Sequence, residues 1–246
     1  MKYFMTFSYD GTNFSGYQKQ PKLRTVQKVI EDAIKEINGG KTVSIHASGR
    51  TDAGVHALNQ KAHFELDKSI PCDKLQRGIN SLLPEDVYVK KIEEVADDFH
   101  ARFSAIGKEY IYKINMGEYN PIERNYVYQY NKRLDVVAME RAIKYLEGEH
   151  NFKSFTKTNE EIVDYVRTIS NTLIVRDTKD LNKLTITFVG TGFMRYMVRN
   201  MVGLLIEVGE GKRMPEDIIN ILKEENRIYA GITAPACGLY LRNVFY

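Results

Sequence analysis

Two periodicities alternate along the first half of the chain, and each predicts an element. Residues 1–7, Met-Lys-Tyr-Phe-Met-Thr-Phe, form a short alternating run that reads as a strand. After a loop carrying Lys19, Lys22 and Arg24, the apolar residues Val26, Val29, Ile30, Ala33, Ile34 and Ile37 recur at helical spacing, and Asn38-Gly39-Gly40 ends that helix. The β-branched run over 42–47 predicts a strand. Leu58, Gln60, Ala62, Phe64 and Leu66, alternating with Asn59, Lys61, His63 and Glu65, predict a second strand. A helix over 72–82 and a strand over 87–94 follow. The resulting order, strand-helix-strand twice over, fits an α+β layer with helices on one face of an antiparallel sheet.

The second half reads in the same way: strand at 108–115, helix at 136–146, strands at 168–176 and 184–189, a strongly apolar helix at 193–208, a shorter helix at 216–222 and a last strand at 239–245. The halves share no sequence repeat. Their common order of elements predicts two related lobes, 1–105 and 106–246.

Composition narrows the class without naming a partner. A chain of 246 residues, 43% of them hydrophobic, can bury a substantial core. With 35 Lys plus Arg against 32 Asp plus Glu, the net charge is only +3, so any affinity for nucleic acid would have to come from where the charges lie and not from their total. Cys72 and Cys237 belong to no C-x-x-C pair and read as reduced thiols. The opening run is too short for a signal sequence or a membrane span, which makes the cytoplasm the expected location.

The stretch most suggestive of chemistry is Gly49-Arg50-Thr51-Asp52-Ala53-Gly54-Val55-His56, between the second and third predicted strands. One carboxylate sits between two glycines, with an arginine two residues before it. Held near a guanidinium, such a carboxylate stays ionised and can serve as a nucleophile or base. Gly49 and Gly54 allow positive φ and close approach of a ligand. The same residue types also make an ordinary polar turn.

This segment, followed by Ala57, Gln60 and His63-Phe64, resembles the active-site segment of the A-type tRNA pseudouridine synthases. Three further segments resemble that family in the same order: 9–18 (Tyr-Asp-Gly-Thr-Asn-Phe-Ser-Gly-Tyr-Gln), 98–105 leading into Lys108-Glu109-Tyr110, and Gly192-Phe193-Met194 with Met197-Val198-Arg199-Asn200. Gly238-Leu239-Tyr240-Leu241 closes the pattern. Tyr17 departs from it, standing where the family very often has tryptophan, as does Ile106, which replaces a small polar residue.

The resemblance implies two ferredoxin- or RRM-like lobes whose sheets join into one mixed, mostly antiparallel sheet around a central RNA-binding cleft. It implies isomerisation of uridine in the anticodon stem-loop of tRNA by a homodimer. That reaction breaks the bond from N1 to the ribose, rotates the base and joins C5 to the sugar. No electrons are exchanged and no group is imported, so neither cofactor nor metal is called for. Asp52 is the candidate carboxylate, and three routes are open to it: attack on the base, attack on the sugar carbon, or removal of a sugar proton.

Arg199 is the implied partner of that charge, and helical spacing predicts that Arg195, one turn away, shares its face as a phosphate contact. Tyr110 is the implied stacking residue for the extruded uracil, a contact worth roughly 1 to 3 kcal/mol; Tyr112, two positions on, is expected in the core. Arg50 is expected to fill the space left by the flipped base and hold phosphates, and Leu241 to pack beneath the site. Two other readings compete. His46, His56 and His63 lie near Asp52 in sequence, but their spacing matches no metal-binding motif. A non-catalytic RNA-binding or RNA-folding module could use the same cleft and aromatic strands, although binding alone needs no nucleophile.

Overall fold

The computed structural model describes residues 1–157 and 164–246. Its contacts divide the chain into one unit of Met1–Ile106 with Tyr240–Tyr246, and a second of Gly107–Leu239, so the final strand is grouped with the first unit. Each unit is α+β, with predominantly antiparallel strand pairing.

In the first unit, β1 (Lys2–Tyr9) lies between β4 (Val87–Glu94) and β3 (His56–Glu65), antiparallel to both. On its other side β3 pairs antiparallel with the short β2 (His46–Ala47) near its end, and parallel with β10 (Leu239–Phe245) at its start. Odd positions of β1 form the buried face: Tyr3, Met5 and Phe7 are fully enclosed, and the Tyr3 ring stacks on Phe64 of β3. Two helices supply the rest of this core. α1 (Val26–Ile37) buries Val26, Ile30, Ala33 and Ile34, and α2 (Cys72–Leu82) buries Leu75 and Ile79. Each such aliphatic side chain contributes about 1.5 to 3 kcal/mol on leaving water. Asn80 on α2 exchanges two hydrogen bonds with the backbone of Val89, tying that helix to β4.

The run at 42–47 forms much less strand than its β-branched content predicts, for only His46–Ala47 pair with β3. The backbone before it is satisfied by side chains of α1: Ile45 donates its N–H to Glu31 Oε1 at 3.2 Å and accepts from Gln27 Nε2 at 3.4 Å. Those bonds replace a ladder.

In the second unit the order is β5 (Gly107–Asn115), β9 (Lys183–Gly190), β8 (Val166–Arg176) and β7 (Gly148–Asn151), all antiparallel, while the two-residue β6 (Tyr128–Gln129) runs parallel to the end of β5. α3 (Val136–Lys144) is capped by the Asp135 side chain, which accepts from Ala138 N at 3.0 Å. It packs on α4 (Met197–Gly209), closely enough that a Cβ on Gly209 would lie 2.8 Å from the Met139 sulfur. α5 (Asp217–Glu224) completes the helices.

α4 begins four residues later than its apolar pattern predicts. Tyr196, immediately before the helix, is left-handed, with φ 64°, and breaks the helical path there. Phe193 therefore leaves the helical stripe and packs its ring edge-on against Tyr110 at 5.2 Å. Arg195 is not on the helix, so its predicted common helical face with Arg199 does not exist. Local hydrophobicity carries no signal for one left-handed tyrosine.

Candidate active site

The Asp52 segment is a wide connection between β2 and β3, held from both ends. Ser48 N–H donates to Lys61 O at 2.8 Å, which carries the β2–β3 ladder one residue further. At the other end Asp52 O accepts from Val55 N at 3.2 Å and closes a tight turn around Ala53 and Gly54. Gly54 has φ 77°, so the turn requires the left-handed conformation that glycine tolerates. Gly49, which also allows that conformation, does not adopt it.

A second loop, after β1, locks onto this one. Gly11 N–H donates to His56 Nδ1 at 3.0 Å, Gly54 N–H to Phe14 O at 3.4 Å and Tyr17 N–H to Thr51 O at 3.1 Å. The fit leaves no room for side chains, since a Cβ on Gly11 would lie 2.0 Å from Val55 O and one on Gly16 3.1 Å from Thr51 O. Asp10 stiffens this loop by accepting from both N and Oγ1 of Thr12, at 2.9 and 2.6 Å. The segments 9–18 and 49–56, separate in sequence, thus form one hydrogen-bonded assembly.

Asp52 is half-buried on this assembly and the Arg50 side chain is exposed. His56 is buried, with its ring stacked on Tyr240 of β10 at 4.6 Å, and its Nδ1 lies 3.0 Å from Gly11 N and 3.2 Å from Asp10 Oδ1. Leu241, opposite Ala57 in the β3–β10 pair, is 1% exposed and belongs to the packing of that strand.

Beneath the turn lies a set of polar groups, most of them within the segments that carry the resemblance, to which the sequence assigned no role. Gln60, fully buried on β3, accepts from Ser48 Oγ at 2.8 Å and donates to Gly49 O at 3.1 Å, and Tyr9 Oη pairs with Thr51 Oγ1 at 2.8 Å. The signal was visible: Gln60 is the one polar residue among the apolar alternate positions 58–66.

The other candidates stand on the second unit. Tyr110 on β5 is nearly buried, opposite Phe188, with Phe193 against its ring. Tyr112 is fully enclosed and donates its hydroxyl to Pro235 O at 2.7 Å; burial pushes its phenol well above the usual range, as fits a core residue. Arg199 Nε donates to Ala234 O at 2.7 Å while its own carbonyl accepts from Ala234 N at 3.0 Å, a two-way clamp on the start of α4. The Tyr196 ring lies under two cations, with Arg195 at 4.9 Å and Arg199 at 5.3 Å from its centre.

Four of the five histidines divide between two places, and His150 lies apart from them against Phe152. His46 and His63 stack at 5.0 Å, with His100 edge-on to His63 at 4.6 Å, whereas His56 sits on Tyr240. Among the described residues no group of three or more His, Cys, Asp or Glu is arranged to hold a metal ion. No described helix is long and apolar enough to cross a membrane.

This fold and geometry can be set beside known proteins. The family profile described as tRNA pseudouridine synthase matches residues 5–104 and 142–246. The chain is 46% identical over 241 residues to a tRNA pseudouridine synthase A of Anoxybacillus flavithermus, covering 98% of this chain and 97% of that protein. It is 46% identical over 248 residues to one from Limosilactobacillus fermentum, covering 100% and 96% respectively. A third, from Streptococcus mutans, is 42% identical over 247 residues, covering 100% of this chain and 99% of the relative. A solved Cbf5-Nop10-Gar1 complex is also similar, at 12% identity and a TM-score of 0.34 over 83% of this chain and 54% of the matched one, too remote to bear on function.

Fold, motif order and full-length similarity define an RNA-modifying isomerase. The chain belongs to the tRNA pseudouridine synthase family.

Proposed function

We propose that the protein converts uridine to pseudouridine in the anticodon stem-loop of tRNA in the cytoplasm, with Asp52 as the nucleophile. The observation that carries this reading is the anchoring of the Asp52 turn, whose backbone is pinned at Ser48, Thr51 and Gly54. A reacting carboxylate must be held close to its productive geometry, and a turn braced in this way costs little further ordering when substrate arrives. Half-burial suits the same role, because it limits competing water while leaving the group accessible.

The remaining roles rest on the motif resemblance. Arg199 holds the charge of the carboxylate, Tyr110 stacks on the flipped uracil, Arg195 contacts phosphate and Leu241 packs under the site. Arg50, exposed beside the nucleophile, enters the space that the base vacates. Pseudouridine formation then balances without a partner: the N1–C1′ bond breaks, the base turns, C5 joins C1′, the proton on C5 is lost to solvent and N1 gains one. The active species is a homodimer spanned by the tRNA.

The substrate assignment is tested by mapping pseudouridine in bulk tRNA from cells with and without the gene. Loss confined to the anticodon arm is the expected result. Loss in another arm, with the anticodon arm intact, overturns the assignment.

A further inference from the structure

We propose that Gln60, Tyr9 and Thr51 form a positioning relay that sets the Asp52 turn for catalysis, none of the three touching substrate. The inference rests on the reading of Asp52 as nucleophile and adds to it the residues that aim it.

Three facts carry the proposal. The first is where Gln60 sits: completely buried, on the inward parity of a central strand, at a position where an aliphatic side chain would satisfy the core without needing partners. The second is that its amide is used at both ends. Oε1 accepts from Ser48 Oγ at 2.8 Å and from Lys61 N at 3.1 Å; Nε2 donates to Gly49 O at 3.1 Å and, more weakly, to Tyr9 Oη at 3.5 Å. Tyr9 Oη also pairs with Thr51 Oγ1, 2.8 Å away, where either oxygen can donate. Burial raises the Tyr9 phenol to about 12, so it stays protonated throughout the neutral range.

The third fact is what the relay grips. Ser48, Gly49 and Thr51 are held from below, and Thr51 O is held again by Tyr17 N–H at 3.1 Å. The held residues bracket Arg50, whose side chain is exposed, and the last of them directly precedes Asp52. The relay thus fixes the backbone that carries both side chains. A buried polar network in which every member is satisfied specifies one geometry, which is the property a positioned nucleophile needs.

A double-mutant cycle on the single-turnover rate tests this, using full-length protein and a tRNA transcript with a uridine in the anticodon stem. Tyr9→Phe and Thr51→Val should each slow pseudouridine formation by about tenfold to a hundredfold, with tRNA affinity unchanged within about threefold. The double variant should be no slower than the slower single variant, and Thr51→Ser should restore most of the rate. Normal rates in both folded single variants, or slowing that simply multiplies in the double, would overturn the relay. If Tyr9→Phe fails to fold, the comparison of Thr51→Val with Thr51→Ser decides: equal rates refute the proposal, and rescue by serine supports it. Asp52→Asn, run alongside, separates the two levels. Its retained activity would remove the nucleophile assignment itself, whereas an inactive Asp52→Asn with a flat or multiplicative cycle removes the relay alone.

Discussion

Acidification should destabilise this protein through His63. The imidazole is 5% exposed, its Nδ1 accepts from Ala101 N at 3.1 Å, and its ring packs against both His46 and His100, which also approach each other at 5.9 Å. Burial first, then the neighbouring His100, His46 and Lys2, push it down from 6.5 to about 4, with Glu65 opposing. The sign follows from proton counting: between those values the unfolded chain binds a proton that the folded protein refuses, so stability is full above 6.5 and is lost as pH falls toward 4. Integrated from about pH 7 to about pH 5, the gap corresponds to roughly 2 kcal/mol, and allowance for solvent screening leaves about 1 to 2 kcal/mol. Urea unfolding of the parent and of His63→Gln at both pH values provides the assay, since titrations not coupled to His63 cancel in the difference. The parent should lose about 1 to 2 kcal/mol more than the variant. Equal losses would refute the assignment of a neutral, buried His63.

Other substitutions test the packing argument. The Tyr17 hydroxyl is buried without a hydrogen-bond partner among the described residues, so Tyr17→Phe should raise stability by about 0.5 to 1 kcal/mol in thermal unfolding, and a loss would show that the hydroxyl is satisfied. Asn200, 1% exposed, donates to Phe155 O at 2.6 Å and accepts from Arg227 at 3.0 Å and Thr233 at 2.6 Å. Asn200→Ala strands all three partners and should cost about 3 kcal/mol in urea unfolding, an effect below about 1 kcal/mol contradicting that count. Gly11→Ala places a methyl 2.0 Å from Val55 O and should slow pseudouridine formation in a protein that still folds; an unchanged rate would mean that the two loops are not locked.

Much of the fold was legible because each long element carries one clean period. α1 over Val26–Ile37, α2 over Cys72–Leu82, β4 over Val87–Glu94 and β10 over Leu239–Phe245 keep the residues their patterns predict. β6 and β7, at two and four residues, are too short to establish a period. The misreadings share a cause. At 42–45 and at 193–196 the local sequence favours an element, but non-local partners decide: side chains of α1 take the backbone bonds of Ile45, and the break at Tyr196 sends Phe193 to Tyr110. The Asp52 turn was visible as a motif, and its mooring was not, since Gly11–Val55 and Tyr17–Thr51 contacts join residues far apart in the chain. Only Gln60 announced that mooring, as a polar side chain in an apolar series.

The central claim is that Asp52 performs the chemistry, and Asp52→Asn tests it most directly because the amide keeps the shape of the side chain and removes the charge. Single-turnover assays should show pseudouridine formation lowered at least about a thousandfold, with tRNA bound at near-parental affinity. Turnover within about tenfold of the parent, in a folded variant that binds tRNA, would contradict the account.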